Sequence, residues 1–179
     1  FFQQNTKAVV TTEQDSSDVM KKIDVVMTGI NTHKLFESLQ YYYRKNPNFD
    51  WQSLQTELSA SEYSALKYIA NDHHGCWLNL IKSGSVEYGF TVLEKNKIIQ
   101  GQIDLWGKIQ DEYWLVDYKT GSSVYSEKAF AQLSIYAWAL KKMNLISENE
   151  KIRLAVIYPF SEKTLIQDCG SFDFQSLNM

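Results

Sequence analysis

The central part of the chain carries the clearest pattern of apolar and polar positions, and this pattern indicates β-strands. The segments VEYGFTVLEKN, KIIQGQIDLWGKIQ and EYWLVDYKT are rich in β-branched and aromatic residues. Polar turns at 95–97 and 110–112 separate them, so they predict a three-strand antiparallel meander. Further along, the apolar segment IRLAVIYPF is typical of a short strand that is buried on both faces.

Apolar positions recur with the helical period on both sides of this meander. The period is visible over residues 31–44 and again over 51–82, where Ser59 or Ser61 is a candidate N-cap. The segment SEKAFAQLSIYAWALKKMN resumes the period after the meander. This order predicts an α/β fold in which helices flank a central mixed β-sheet, made of the meander and the later strand.

The length of the chain predicts one domain. A chain of 179 residues can bury one sizeable core but is too short for two comfortable ones. Segment 1–19 is polar, and we expect it to be a linker or arm from a preceding domain, with residues 20–179 forming the single domain. Because the chain opens with FFQQNTKAVV, we expect a fragment of a longer polypeptide without a signal peptide.

Composition and charge narrow the possible functions. The net charge of −3 argues against a domain that binds nucleic-acid phosphates strongly by itself. A nucleic-acid enzyme remains possible, because divalent metals would neutralise part of an acidic pocket. No apolar run approaches the roughly 20 residues that span a bilayer, so we expect no membrane partner. Cys76 and Cys169 lie in no CxxC pattern, which predicts reduced thiols of a cytoplasmic protein and no four-cysteine iron–sulfur cluster within this chain.

Two aspartates end neighbouring apolar strands of the meander. Asp104 closes QGQID, and Asp117 closes YWLVD, so the two carboxylates can converge at one edge of the sheet. Lys119 follows two residues after Asp117, and the strand period of two sends both to the same face. Two adjacent carboxylates repel each other unless a cation lies between them, and oxygen ligands of this kind suit Mg²⁺ or Mn²⁺. The lysine could then orient or deprotonate a water and stabilise charge on a phosphoryl oxygen.

An ordinary Asp–Lys ion pair in a hairpin is the plainer interpretation of an isolated D-x-K sequence. The surrounding residues favour chemistry. Gly101 lets the backbone approach closely just before Asp104, and an unpaired charge at Asp117 would be costly at the end of an apolar strand. The next helix carries Gln132 and Tyr136 on one face, at i and i+4.

Other polar and aromatic residues have two interpretations each. His33, taken alone, is a core or surface histidine. His73 and His74 are adjacent, point apart on a helix and suit a surface position better than a metal site. The aromatic residues at 41–43 and Trp51 could stack on bases of single-stranded DNA, although a helix–helix interface is the plainer account.

Taken together, GQIDLW, YWLVDYKTG and AQLSIYAWAL resemble the RecB-type nuclease motif of the PD-(D/E)XK superfamily. The resemblance covers roughly residues 25–160 and is greatest to the nuclease domain of RecB and AddA helicase–nuclease subunits. TGINTHKLFESL is similar to the histidine-containing helix of that family, and VEYGF to its segment with a glutamate before the meander. These motifs are specific in combination and weak singly.

The resemblance implies a metal centre that holds Mg²⁺ or Mn²⁺. Asp104, Asp117 and the backbone carbonyl of Tyr118 would be metal ligands, and His33 would be a further ligand or would organise a water beside the ion. The cysteine quartet that holds an iron–sulfur cluster in some relatives is absent, so the resemblance is to the branch without a cluster.

The resemblance also implies roles for residues around the metal. Lys119 would be the catalytic lysine, Glu87 an outer contact, and Gln132 and Tyr136 would position the scissile strand or support the site. The implied activity is that of a metal-dependent deoxyribonuclease, an exonuclease domain of a helicase–nuclease in double-strand break repair and recombination.

This activity would have DNA as its partner, a single-stranded end fed by a helicase motor. Further partners would be the rest of a longer chain and a second subunit. Two alternatives stay open: a non-catalytic module of the same fold that lines a DNA channel or docks a subunit, and an unrelated metal-dependent enzyme for a small phosphorylated substrate. No Gly-rich phosphate loop supports the second alternative.

Overall fold

The computed structural model describes residues 32–121 and 126–170. The predicted arm at 1–19 and the predicted helix start at residue 31 lie outside the described residues. The helices are α1 over 32–45, α2 Ala60–Asn71, α3 Cys76–Ser83 and α4 Ser126–Lys142. The strands are β1 Ser85–Glu94, β2 Lys97–Ile109, β3 Glu112–Tyr118, β4 Ile152–Tyr158 and β5 Lys163–Asp168. None of these described helices has both the length and the apolar content that a membrane crossing requires.

The five strands form one mixed sheet in the order β1-β2-β3-β4-β5. The first three strands are antiparallel neighbours, β4 runs parallel to β3, and β5 is antiparallel to β4. The predicted α/β fold with a central mixed sheet flanked by helices is therefore confirmed. The last strand, KTLIQD, was not predicted, because its residues are exposed or only partly buried and give no clear apolar pattern.

Helices cover both faces of the sheet and bury two separate apolar clusters. On one face, α1, α2 and α3 pack Phe36, Leu66 and Trp77 against strand residues that include Val116 and Tyr118. On the other face, α4 packs its buried side chains against strand residues such as Ile103, Leu115 and Val156. The functional candidates lie where β3 ends, beside the interior of β1 and β2.

The predicted turns of the meander lie where the sequence places them. Lys95 and Asn96 both have positive φ, of 46° and 64°, which is the conformation of a two-residue turn that matches the twist of a hairpin. Gly84 ends α3 and allows close packing on β2, because a Cβ there would lie 2.5 Å from the carbonyl oxygen of Trp106. The turn joins the first two strands of the meander, and Gly84 connects the meander to α3.

The pairing between β2 and β3 stops just before the two aspartates. Leu105 and Val116 are the last paired residues, and the next position in this register would join Asp104 to Asp117. The pairing of β3 with β4 continues as far as Tyr118. The two strands of the meander therefore separate at the aspartates, which opens space between the carboxylates.

The Ser59→Ala variant is expected to lower the free energy of unfolding by about 1 kcal/mol. Ser59 accepts a hydrogen bond from the Glu62 amide, and the Glu62 carboxylate accepts one from the Ser59 amide, so the two residues form a capping box at the start of α2. Urea unfolding would measure the change. Ser161→Ala, at an exposed serine, is the control, and equal stability of the Ser59 variant would contradict the role of the cap.

Candidate metal centre

Asp104 lies on β2 at the point where it separates from β3. Its Oδ2 accepts a hydrogen bond of 2.7 Å from the backbone amide of Tyr118, so the carboxylate pairs with an amide beyond the end of the β2–β3 ladder. Only 11% of the Asp104 side chain is exposed. The local structure therefore places a nearly buried carboxylate at the open strand edge.

Asp117 and Lys119 form an ion pair beside Asp104. The Lys119 Nζ donates to Oδ1 of Asp117 at 3.0 Å and lies 2.9 Å from Oδ2. As the strand period predicts, the two side chains share one face. Asp117 is buried, and among the described residues no donor has hydrogen-bonding geometry to its Oδ2. The ammonium of Lys119 is the cationic group that lies nearest to this oxygen among the described contacts.

His33 on α1 joins Asp104 to Glu87 on β1. The Nδ1 atom of His33 lies 2.8 Å from Oε1 of Glu87 and 3.6 Å from Oδ1 of Asp104. One ligand atom from each of the three residues falls within 4.8 Å of the other two, which is the spacing of a metal site. Asp117 is not part of this compact group, and its carboxylate contacts Lys119.

The backbone at Glu87 is strained. Its φ of 51° is left-handed, although the residue lies within a strand and is not glycine. The strand changes face there, because Val86 packs in the cluster of α1–α3 and Tyr88 in the cluster of α4, whereas residues two apart in a regular strand share a face. Such conformations cost about 1–3 kcal/mol and occur most often at functional sites. In this left-handed conformation, the Glu87 side chain contacts His33.

The electrostatics of the two aspartates favour a bound cation. Burial, together with the nearby charge of Asp117, raises the pKa of Asp104 to about 7. Burial also raises the pKa of Asp117, although the ammonium of Lys119 opposes this. A divalent ion would relieve both effects, because it compensates the buried charges. The carboxylate oxygens suit Mg²⁺ or Mn²⁺.

Gln132 and Tyr136 are in contact on α4. The Gln132 Nε2 donates to the Tyr136 hydroxyl at 2.6 Å, and the Tyr136 ring packs edge-on against Phe90 at 5.2 Å. Gly101 is required below this ring, because a Cβ there would lie 2.7 Å from its Cε1 atom. Burial raises the pKa of Tyr136, and the charges of Asp117 and Asp104 add to this increase. The pair therefore lies within electrostatic range of the aspartates.

Several other candidates lie apart from this group. His73 and His74 are exposed in the turn before α3, and His73 pairs with Asp72 at 2.9 Å. On α1, Tyr43 is buried, whereas 59% of Tyr41 is exposed.

Tyr118 lies next to Asp104, to which its backbone amide donates. The described contacts of Tyr118 involve this amide and the ring, so the role of its carbonyl as a metal ligand stays a prediction.

Sequence reasoning missed Gln102, whose Nε2 donates to Oε2 of Glu87 at 2.7 Å. Its position in GQID, one residue after the glycine that Tyr136 requires and two before Asp104, is the signal that could have identified it.

One comparison found a similar solved structure, titled "Crystal structure of SSO0001". It shares 15% sequence identity with this chain at a TM-score of 0.39, and the match covers 77% of this chain. The match spans 64% of the length of that protein, which is less than two thirds of it. A comparison with curated proteins found no match.

A comparison with protein families found one that matches most of the chain. The model of this family, described as "PD-(D/E)XK nuclease superfamily", matches residues 11–177. The matched range includes the five-strand mixed sheet with its flanking helices, the opened strand edge with Asp104 and Asp117, and the lysine two residues beyond. By this match the chain belongs to the PD-(D/E)XK nuclease superfamily.

Proposed function

We propose that this chain is a metal-dependent nuclease that hydrolyses phosphodiester bonds of DNA. One observation carries the proposal: the Asp104 carboxylate converges with His33 and Glu87 at an opened strand edge, directly beside the Asp117–Lys119 pair. Membership of a nuclease superfamily supports it. A metal-binding group beside an ammonium suits the hydrolysis of a phosphate ester, whose transition state accumulates negative charge.

The metal would be Mg²⁺ or Mn²⁺. The residues that would hold it are His33, Asp104, Asp117 and the carbonyl of Tyr118, with Glu87 as a further contact. When bound, the ion would polarise the phosphate and lower the pKa of a water molecule. The chemistry of these residues fits such an ion, because two of the donors are largely buried carboxylates whose pKa values are raised.

Lys119 would act as a cation. Burial opposes its charge, but the carboxylate and hydrogen bond of Asp117 outweigh burial and raise its pKa. The side chain is therefore an ammonium at neutral pH, which favours stabilising charge on a phosphoryl oxygen over removing a proton from water. Asp117 would hold the ammonium in position for this contact.

Gln132 and Tyr136 would position the scissile strand. The Tyr136 hydroxyl accepts a hydrogen bond from the Gln132 side-chain amide. The hydroxyl keeps its own proton, because the pKa of Tyr136 is raised. The proton is then available to a phosphate oxygen of the substrate, and a hydrogen bond to an anionic acceptor is stronger than one between neutral groups.

The biological setting that we propose follows the RecB and AddA resemblance. The chain would be an exonuclease domain of a cytoplasmic helicase–nuclease in double-strand break repair and recombination, and a helicase motor would feed it a single-stranded DNA end. The rest of a longer chain and a second subunit would be its protein partners. The net charge of −3 supports this setting, because the motor would supply most of the affinity for DNA.

The test is the cleavage of a labelled single-stranded DNA oligonucleotide by the purified protein. Cleavage is expected with Mg²⁺ or Mn²⁺ and is lost with a chelator. The Asp117→Asn variant should reduce the rate at least about a hundredfold, since the site loses a charge that would hold the metal. Asp111→Asn, at an exposed turn residue, is the matched control.

Two outcomes would contradict the proposal. Equal cleavage by the wild type and by Asp117→Asn would identify a contaminating nuclease. Absence of cleavage together with absence of Mn²⁺ binding in calorimetry would identify the alternative, a non-catalytic module that retains the fold as part of a DNA channel.

A further inference from the structure

The outer half of the β1–β2 hairpin is buried on one face only. Beyond Glu87, Phe90 and Val92 pack into the cluster of α4, whereas the opposite face is exposed. We call this exposed surface the outer hairpin face, and it consists of Gly89, Thr91, Leu93, Ile98, Gln100 and Gln102. No described helix covers the outer hairpin face. The residues of β1 and β2 that pack in the cluster of α1–α3 are Val86, Leu105 and Ile109, and all three lie in the other half of the hairpin, beyond Glu87.

The outer hairpin face is continuous with the metal centre. Its residues are opposite one another in pairs, Gly89 with Gln102, Thr91 with Gln100 and Leu93 with Ile98. The innermost pair reaches the site directly through the hydrogen bond from Gln102 to Glu87. At a rise of about 3.3 Å per residue, the six steps along the strand from Glu87 to Leu93 span about 20 Å.

The chemistry of this face changes along its length. Next to the site it presents the amides of Gln102 and Gln100 and the hydroxyl of Thr91, and at its far end it presents two apolar side chains, Leu93 and Ile98, which are 69% and 70% exposed. Lys95 and Lys97 lie at the adjoining turn. Amides, apolar side chains and lysines are groups that contact bases and phosphates of a single strand.

The middle of this surface is slightly concave. A shallow concavity of about 540 Å³ is lined by the middle of the hairpin, including Gly89, Thr91 and Gln100. Gly89 leaves its floor open, because a Cβ at this position would meet no atom within 4 Å. The absence of a side chain there lets a nucleotide approach the backbone.

We propose that the outer hairpin face binds the single-stranded DNA that leads into the metal centre. This inference rests on the proposed nuclease function and adds the path of the substrate. A track of about 20 Å holds about six stacked nucleotides at 3.4 Å each. Continuity with the metal centre favours the substrate over a protein partner, because a strand with one phosphate at Asp104 can extend along the surface that begins beside Glu87.

The decisive variant is Gly89→Phe, which fills the track without disturbing the fold. The open space at Gly89 accepts a side chain, and phenylalanine suits a strand, so the thermal midpoint should not fall. Gly170→Phe is the matched control, because a Cβ at Gly170 also meets no atom within 4 Å and the residue follows β5, outside the hairpin.

Binding is measured by fluorescence anisotropy with labelled oligothymidylates of 2, 6 and 12 nucleotides in Mg²⁺. The Asp117→Asn background keeps the DNA intact. We expect affinity to rise about tenfold or more from 2 to 6 nucleotides and little thereafter. Gly89→Phe should remove this gain and leave binding of the dinucleotide unchanged, whereas Gly170→Phe should retain the gain. Leu93→Ser should weaken only the longer oligonucleotides, and Leu145→Ser, at an exposed leucine after α4, should weaken none.

Each other result overturns the inference. If Gly89→Phe keeps the rise in affinity from 2 to 6 nucleotides, this face does not bind DNA, and a protein partner is the remaining occupant. If Gly89→Phe also weakens binding of the dinucleotide, the substitution acts on the metal centre. Cleavage distinguishes failure of the proposed nuclease function from failure of this inference. If the nuclease function fails, the unsubstituted protein cuts no oligonucleotide, and the binding series still tests whether DNA follows this face.

Discussion

The Asp104→Asn variant is expected to be more stable than the wild type without metal and to have no nuclease activity. The wild-type carboxylate is nearly buried close to Asp117, and these surroundings raise its pKa to about 7. An asparagine oxygen can accept the same hydrogen bond from the Tyr118 amide without carrying a charge. Above pH 7 we expect a gain of about 2 kcal/mol, roughly half of what the full pKa shift corresponds to.

The pH dependence of this gain has a definite sign. Because the pKa of Asp104 is higher in the folded than in the unfolded chain, the folded state holds an extra proton between about pH 4 and pH 7. The contribution of the protonated group is fully present below pH 4 and is lost as the pH rises through 7. The variant and the wild type should therefore be equally stable at low pH and diverge toward pH 8.

Urea unfolding in a chelator at pH 4.5 and pH 8 measures this divergence, with Asp111→Asn as the control for loss of an exposed carboxylate. Adding Mn²⁺ should stabilise the wild type more than Asp104→Asn, because only the wild type keeps the charge that would bind the ion. A variant that is less stable than the wild type at pH 8 in chelator would show that Asp104 carries no unfavourable charge.

The two aspartates and the lysine could be located from sequence because each rests on a local rule. Alternating and β-branched residues identify the strands, short polar turns make them neighbours, and the period of two puts Lys119 on the face of Asp117. The structure shows all three features. The i, i+4 contact of Gln132 with Tyr136 follows from the helical repeat in the same way.

The parts that sequence could not predict depend on tertiary contacts. Glutamate has no preference for a left-handed backbone, so nothing in VEYGF predicts the left-handed conformation of Glu87. The contact of Glu87 with His33 is therefore also not predictable from this segment. The separation of β2 from β3 likewise has no local signal, because both strands read as apolar up to the aspartates. In both cases the chain departs from regular strand geometry at the functional group, where strain is tolerated in exchange for a polar arrangement.

The Lys119→Met variant is expected to lose both activity and stability, in contrast to Asp104→Asn. Methionine removes the ammonium but leaves the Asp117 carboxylate buried without its partner. Breaking a fully buried pair costs about 3–5 kcal/mol, and since 41% of the Lys119 side chain is exposed we expect about 1–2 kcal/mol. The rate of DNA cleavage at saturating Mg²⁺ should fall about a hundredfold or more, because a charge on the phosphoryl oxygen is no longer stabilised.

A double-variant cycle separates the ion pair from the loss of packing. Asp117→Asn combined with Lys119→Met should recover most of the lost stability, because no unpaired charge remains. Lys108→Met is the matched control, since that lysine is similarly exposed but pairs with a carboxylate outside the site, and it should change little. Mn²⁺ should stabilise Lys119→Met more than the wild type, because the ion would take over compensation of Asp117. Equal stabilisation of the two proteins would remove Asp117 from the metal ligands and leave it as the partner of Lys119 alone.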